Sequence, residues 1–100
     1  MGVRSRSEVN GRQSALSIAG SVISLTVPDA ANCAEIYVET AAIRFTREGT
    51  DPTTTLGFVA YPGDIILLNS RAECDQFEAI RDTSGLSATL EVEYFSDISG

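Results

Sequence analysis

Residues 86–95 read Leu-Ser-Ala-Thr-Leu-Glu-Val-Glu-Tyr-Phe, and this run constrains the chain more than any other. Leu86, Ala88, Leu90, Val92 and Tyr94 alternate with Ser87, Thr89, Glu91, Glu93 and Phe95. An extended backbone puts every second side chain on one side, whereas a helix would scatter these residues around its axis. The run therefore predicts a strand with one buried face and one wet face. A lone strand cannot hide its own apolar side, so the rest of the chain must supply further strands and a second layer.

Several other segments repeat the pattern. Ile23, Leu25 and Val27 share one face of residues 22–27, and Pro28-Asp29 ends that strand. In residues 34–40, Ala34, Ile36 and Val38 face one way and Glu35, Tyr37 and Glu39 the other. Ile43 and Phe45 point inward from residues 42–46; the two runs form either a tight hairpin or one strand kinked near Thr40-Ala41. Residues 54–60 resume a strand with Leu56 and Phe58 on one face. Ile65 to Leu68 is a continuous apolar run, too short for a helix, that predicts a strand covered on both faces. Residues 74–81 are ambiguous between a helical turn and a strand, with a strand favoured over Phe77 to Arg81.

Between these runs lie two strong turns. Glu48-Gly49-Thr50-Asp51-Pro52-Thr53 combines glycine with Asp-Pro. In Tyr61-Pro62-Gly63-Asp64, Pro62 at the first corner and Gly63 at the second favour type II geometry, because glycine accepts positive φ there. About seven short strands separated by turns indicate an all-β, small antiparallel β-sandwich. Residues 1–15, MGVRSRSEVNGRQSA, are polar and aperiodic and read as an extended, flexible N-terminal arm ahead of a sandwich domain over 16–100.

Charge and composition narrow the function. The formal net charge is −7, with no histidine, lysine or tryptophan. Residues 1–12 hold Arg4, Arg6 and Arg12 against Glu8, and the remainder holds 4 arginines against 13 acids. Such a body does not suit nucleic acid, and the arginines of the arm are the candidate partner-binding residues, suited to an acidic surface that includes another copy's body. No apolar stretch is long enough for a transmembrane helix, and the N-terminus lacks the apolar core of a secretory signal. Catalysis of the Ser-His, Cys-His or Ser-Lys type lacks its base, so no catalytic residues and no enzyme activity are expected. Glu91 with Glu93, and Glu35 with Glu39, read as solvated outer faces. A calcium ion at Glu48, Thr50 and Asp51 is a weaker explanation than the turn itself, and neither a metal nor a cofactor is expected. Cys33 and Cys74 read as buried free thiols, a single inter-strand bridge being the alternative.

Ala42-Ile43-Arg44-Phe45-Thr46-Arg47-Glu48-Gly49-Thr50-Asp51-Pro52-Thr53, continued by Leu56-Gly57-Phe58 and Tyr61-Pro62-Gly63-Asp64, resembles small proteins from tailed-phage structural gene clusters. These share an Ala-x-Arg-aromatic strand, a Thr-x-Pro-Thr turn, a hydrophobic-Gly strand and a Gly-Asp turn into an aliphatic strand. They end in an alternating strand like Ala88 to Phe95 here, so the likeness spans roughly residues 33–95 and leaves out the arm. Immunoglobulin-like accessory domains of chitin-processing enzymes carry a similar turn, with Asp where this chain has Glu48. The resemblance implies a β-sandwich virion component made in the host cytoplasm: a capsid decoration or cement protein on the capsid surface. Its implied partners are the major capsid protein and neighbouring copies, in a homo-oligomer for which a trimer is one expected symmetry. A head–tail or tail-associated virion protein is the first alternative. The second is a carbohydrate-binding accessory module, disfavoured because only Tyr37, Tyr61 and Phe95 read as exposed aromatics.

Overall fold

The computed structural model describes residues 6–97, which form eight strands and one short helix. The strands are β1 (Arg6–Ile18), β2 (Ile23–Ser24), β3 (Cys33–Glu39), β4 (Ile43–Thr46), β5 (Phe58–Ala60), β6 (Ile65–Leu68), β7 (Glu78–Arg81) and β8 (Ala88–Asp97). Helix α1 (Arg71–Gln76) lies between β6 and β7. Two four-stranded sheets, both antiparallel throughout, have the orders β1-β8-β3-β6 and β2-β7-β4-β5. The protein is therefore the all-β sandwich that its alternating runs require.

One core fills the space between the sheets. The first sheet contributes Ile18, Ile36, Val38, Leu68, Leu90 and Val92, and the second contributes Ile43, Phe45 and Ala79. Removing a Leu, Ile or Val side chain from water is worth about 1.5–3 kcal/mol, so this interior is what holds the layers together. Phe77, at the C-cap of α1, stacks on Phe45 with centroids 5.7 Å apart.

The link between β3 and β4 resolves the two readings of residues 34–46. The strands belong to different sheets, so the chain is one extended segment kinked at the crossing, not a hairpin. Thr40 takes the bend at φ 71°, and its Oγ1 accepts from Thr89 N at 3.1 Å, which ties the corner to β8. The turn at residues 61–64 has the expected form: Gly63 sits at φ 96° and Asp64 N donates to Tyr61 O at 2.9 Å. In the 47–57 loop, Pro52 is fully buried and Gly57 lies at φ 116°. A Cβ on Gly57 would stand 3.0 Å from the Phe45 carbonyl oxygen, so the β4–β5 turn needs glycine there.

Six local expectations are settled or corrected. Residues 6–15 are extended but not a free arm, because β1 pairs with β8 from Arg6 opposite Asp97 to Ile18 opposite Ala88. The polar sequence misleads here because edge strands carry few apolar residues and tolerate irregularity. The register shifts at three places, and Gly11 and Ala15 take φ 157° and 53°. The boundary between an arm and a domain at residue 15 therefore falls inside a strand. Both readings of residues 74–81 hold in part: Arg71–Gln76 form a helix, started by Ser70, whose side chain accepts from Glu73 N at 3.1 Å, and the favoured strand is β7. Of residues 22–27, only Ile23–Ser24 pair, with β7, while Leu25 and Val27 pack on the core from irregular backbone. Of residues 54–60 only Phe58–Ala60 form a strand; Leu56 and Phe58 are both exposed, and Ala60 is the buried residue of β5. β6 is an edge strand, so Ile66 and Leu68 are buried whereas Ile65 and Leu67 are not. At the final strand Leu86 precedes the pairing and is exposed, while Phe95, expected outside, is buried.

Two polar side chains hold the frame. Arg71 donates through Nη1 to the carbonyls of Pro28 at 2.7 Å, Asp29 at 3.1 Å and Ala31 at 2.9 Å, while its Nε bonds Asp75. Gln13 Oε1 accepts from Thr26 N at 3.1 Å and from the hydroxyl of fully buried Tyr94. Gln13→Leu is expected to cost about 1–3 kcal/mol in chemical denaturation by leaving the Tyr94 hydroxyl buried without an acceptor. Adding Tyr94→Phe to that variant should recover part of the loss; equal or greater loss in the double variant would show that the hydrogen bond does not anchor β1.

Candidate interaction surfaces

Two outer regions carry the residues that sequence reasoning singled out. The first surrounds the β4–β5 loop. Thr46 Oγ1 donates to Thr50 O, Thr50 Oγ1 donates to the Glu48 carboxylate, and Gly49 takes φ 92°. Thr53 Oγ1 accepts from Leu56 N at 3.0 Å and closes the rest of the loop. Glu48, Gly49, Thr50, Asp51 and Pro52 thus act together as a self-bonded turn. Beside it lies a groove of about 580 Å³, lined by Thr46, Arg47, Leu56, Gly57, Phe58 and Glu73 among others. Phe58 is 62% exposed and rests against Phe45, with ring centroids 5.9 Å apart.

A carboxyl pair that the sequence did not reveal lies under this loop. Glu78 is opposite Thr46 in the β4–β7 ladder, and its Oε1 is buried with no partner among the described residues while the carboxyl is ionised; the hydrogen bond with Asp51 forms when Glu78 carries a proton. A hydrogen bond with Asp51, then burial, then the charges of Asp51 and Glu48 raise the Glu78 pKa above its ordinary value of 4.5. The two carboxyls come from residues 27 positions apart in sequence, so no local motif announces them. Among the described residues, no three His, Cys, Asp or Glu side chains are placed to hold a metal ion.

The second region is the outer face of the β1-β8-β3-β6 sheet. Cross-strand rows place Leu67 beside Glu35 and Glu35 beside Glu93, and Ile65 beside Tyr37 and Tyr37 beside Glu91. Tyr37 OH donates to Glu35 at 2.8 Å; Glu91 accepts from Ser14 Oγ at 3.0 Å and from Ala15 N at 2.8 Å. A shallow pocket of about 200 Å³ opens between Arg12, Tyr37, Glu39, Glu91 and Glu93. Like charges directly opposite one another, as at Glu35 and Glu93, oppose folding, so this face is costly to keep.

Of the three arginines expected to bind a partner, Arg12 alone has a described side chain. Arg4 lies outside the described residues. Arg6 is in β1 opposite Asp97. Arg12 is largely exposed and lies 3.6 Å from Glu93, on the acidic face of its own chain. Arg44, in β4, donates to Asp82 at 2.9 Å and to the Gly57 carbonyl at 3.2 Å, tying its strand to the chain just after β7 and just before β5. Pro62 and Gly63 belong to the exposed turn ahead of β6, which docks on β3 through Gly63 N to Val38 O at 2.9 Å.

Both cysteines are buried thiols, not joined in a disulfide. Burial, reinforced by Cys33 nearby, pushes the Cys74 thiol up to about 11, so it stays protonated and unreactive at neutral pH. The Cys33 thiol donates to Phe95 O at 3.6 Å.

A carboxyl with a raised folded pKa binds more protons folded than unfolded. The stability it contributes is present below its ordinary value of 4.5 and is lost as pH rises through the raised value. Glu78→Gln is accordingly expected to raise the melting temperature at neutral pH and to leave it unchanged in acid below 4.5. A thermal melt series across that range checks this; equal effects at both ends would remove the raised Glu78 pKa as the cause. Comparison of this chain with protein-family models, with curated proteins and with solved structures finds no match.

Proposed function

We propose that this chain is a structural protein of a phage virion, a capsid decoration or cement protein that binds the major capsid shell and its own neighbours. The observation that carries the reading is the run Ala42–Thr53 combined with the terminal alternating strand through Phe95, whose likeness is to small phage virion proteins. A two-sheet sandwich of this size suits the role. It offers rigid outer faces, and a cement protein works by repeated contact rather than by chemistry. Weak contacts multiplied over symmetry copies give high avidity. A chain without histidine or lysine also lacks the usual side-chain bases for activating a nucleophile.

β1 changes how the N-terminal arginines enter this reading. Arg12 is held on a sheet edge and already faces Glu93, so it presents a fixed cation to a neighbour instead of casting for one. Deleting residues 1–13 would take away most of β1, Gln13 included. The expected result is a lowered melting temperature by calorimetry, whereas Arg12→Ala should leave the melting temperature nearly unchanged.

The function itself is tested by quantifying this chain against the major capsid protein in purified particles. Copies in numbers that scale with the shell lattice are expected. A copy number matching a single vertex would move the protein to the head–tail region, and absence from particles would end the virion reading.

A further inference from the structure

The four edges of the two sheets are not alike. β1 is broken by three register shifts, and β2 and β5 are only two and three residues long. Irregular or very short edges resist pairing with another chain. β6 has neither protection: it is a regular four-residue strand paired on one side only, with no Pro, Lys or bulge. It also exposes large apolar side chains, Ile65 at 54% and Leu67 at 49%, with Tyr37 beside Ile65 in the next strand.

We infer that the β6 edge and the outer face beside it are the docking site for a basic extended segment of a partner protein. The segment adds as a fifth strand to the β1-β8-β3-β6 sheet. Main-chain hydrogen bonds to β6 provide the attachment, as in other strand additions. Charge selects the occupant. Inward from the apolar edge come Glu35, then Glu91 and Glu93, against the single guanidinium of Arg12 among the described side chains of that face. An arginine on the added strand stands two strand spacings, about 10 Å, from β3. Its aliphatic stem covers Leu67, and its head meets the Glu35 carboxylate reaching back across the row. A second copy is a poor occupant, because it carries the same −7 charge and the same glutamates. This inference concerns the chemistry of the contact and stands whether or not the partner is a capsid shell.

The test uses the full chain and two synthetic peptides, one of alternating arginine and valine and one with glutamate in place of arginine. Anisotropy titration at low salt should show binding of the basic peptide alone. Amide shifts mapped by NMR should centre on residues 65–68. Ile65→Ser with Leu67→Ser, and separately Glu35→Gln with Glu93→Gln, should each weaken binding about tenfold or more while circular dichroism stays unchanged. Raised salt should weaken the wild-type complex. No binding of the basic peptide, equal binding of the acidic one, or shifts centred elsewhere would each overturn the inference. So would a concentration-dependent dimer in sedimentation that the Ile65/Leu67 substitutions abolish, since the edge would then serve a second copy. Copy number in particles is independent of every one of these outcomes.

Discussion

The structure depends on the inner face of β8. Ala88, Leu90, Val92 and Tyr94 are each at most 1% exposed, and the strand carrying them pairs with β1 on one side and β3 on the other. The same residues that close the interior thus recruit two of the three remaining strands of their sheet. Their opposite faces hold Glu91 and Glu93, which can point only to solvent once the inner row is buried. Burial on one side of β8 therefore sets the position of the acids on the other.

The electrostatics follow from that geometry. Glu35 on β3 is brought directly opposite Glu93 because both strands obey the same alternation, not because the pair is favourable. Apolar burial across the sandwich outweighs such a pair, as cross-strand terms are only about 0.2–1 kcal/mol whereas each buried aliphatic side chain contributes more. What remains is a face whose negative charge is relieved locally by Arg12, the Tyr37 hydroxyl, Ser14 and the Ala15 amide. The under-loop pair of Asp51 and Glu78 arises in the same way: Glu78 is placed opposite Thr46 by strand register, and the 47–57 loop then lowers Asp51 onto it.

The edges of the two sheets differ in how open they are to pairing with another chain. The edges that would stick without selectivity are broken, as in β1, or brief, as in β2 and β5. β6 is the regular edge, and it follows the Pro62-Gly63 turn whose glycine amide bonds β3. Rigid presentation of an edge reduces the ordering cost that a partner would otherwise meet on binding.

Alternation in the sequence was enough to determine the all-β class, the inward rows of β3, β4 and β8, and the turns at Gly49 and Gly63. These properties are local: side-chain period and backbone freedom are written in neighbouring residues. The Ser70 cap and the six-residue α1 were at the limit of that information, since a short helix shows less than two turns of pattern. Tertiary structure alone decided the rest. A polar N-terminal segment became β1 because β8 offered it a ladder and Tyr94 a partner in Gln13. An apolar run became half-exposed because Ile65–Leu68 fell at a sheet edge, where one face of the strand has no layer above it. Position at an edge, and the meeting of Asp51 with Glu78, are set by which strands pair across long sequence separations, and no pattern of adjacent residues encodes that choice.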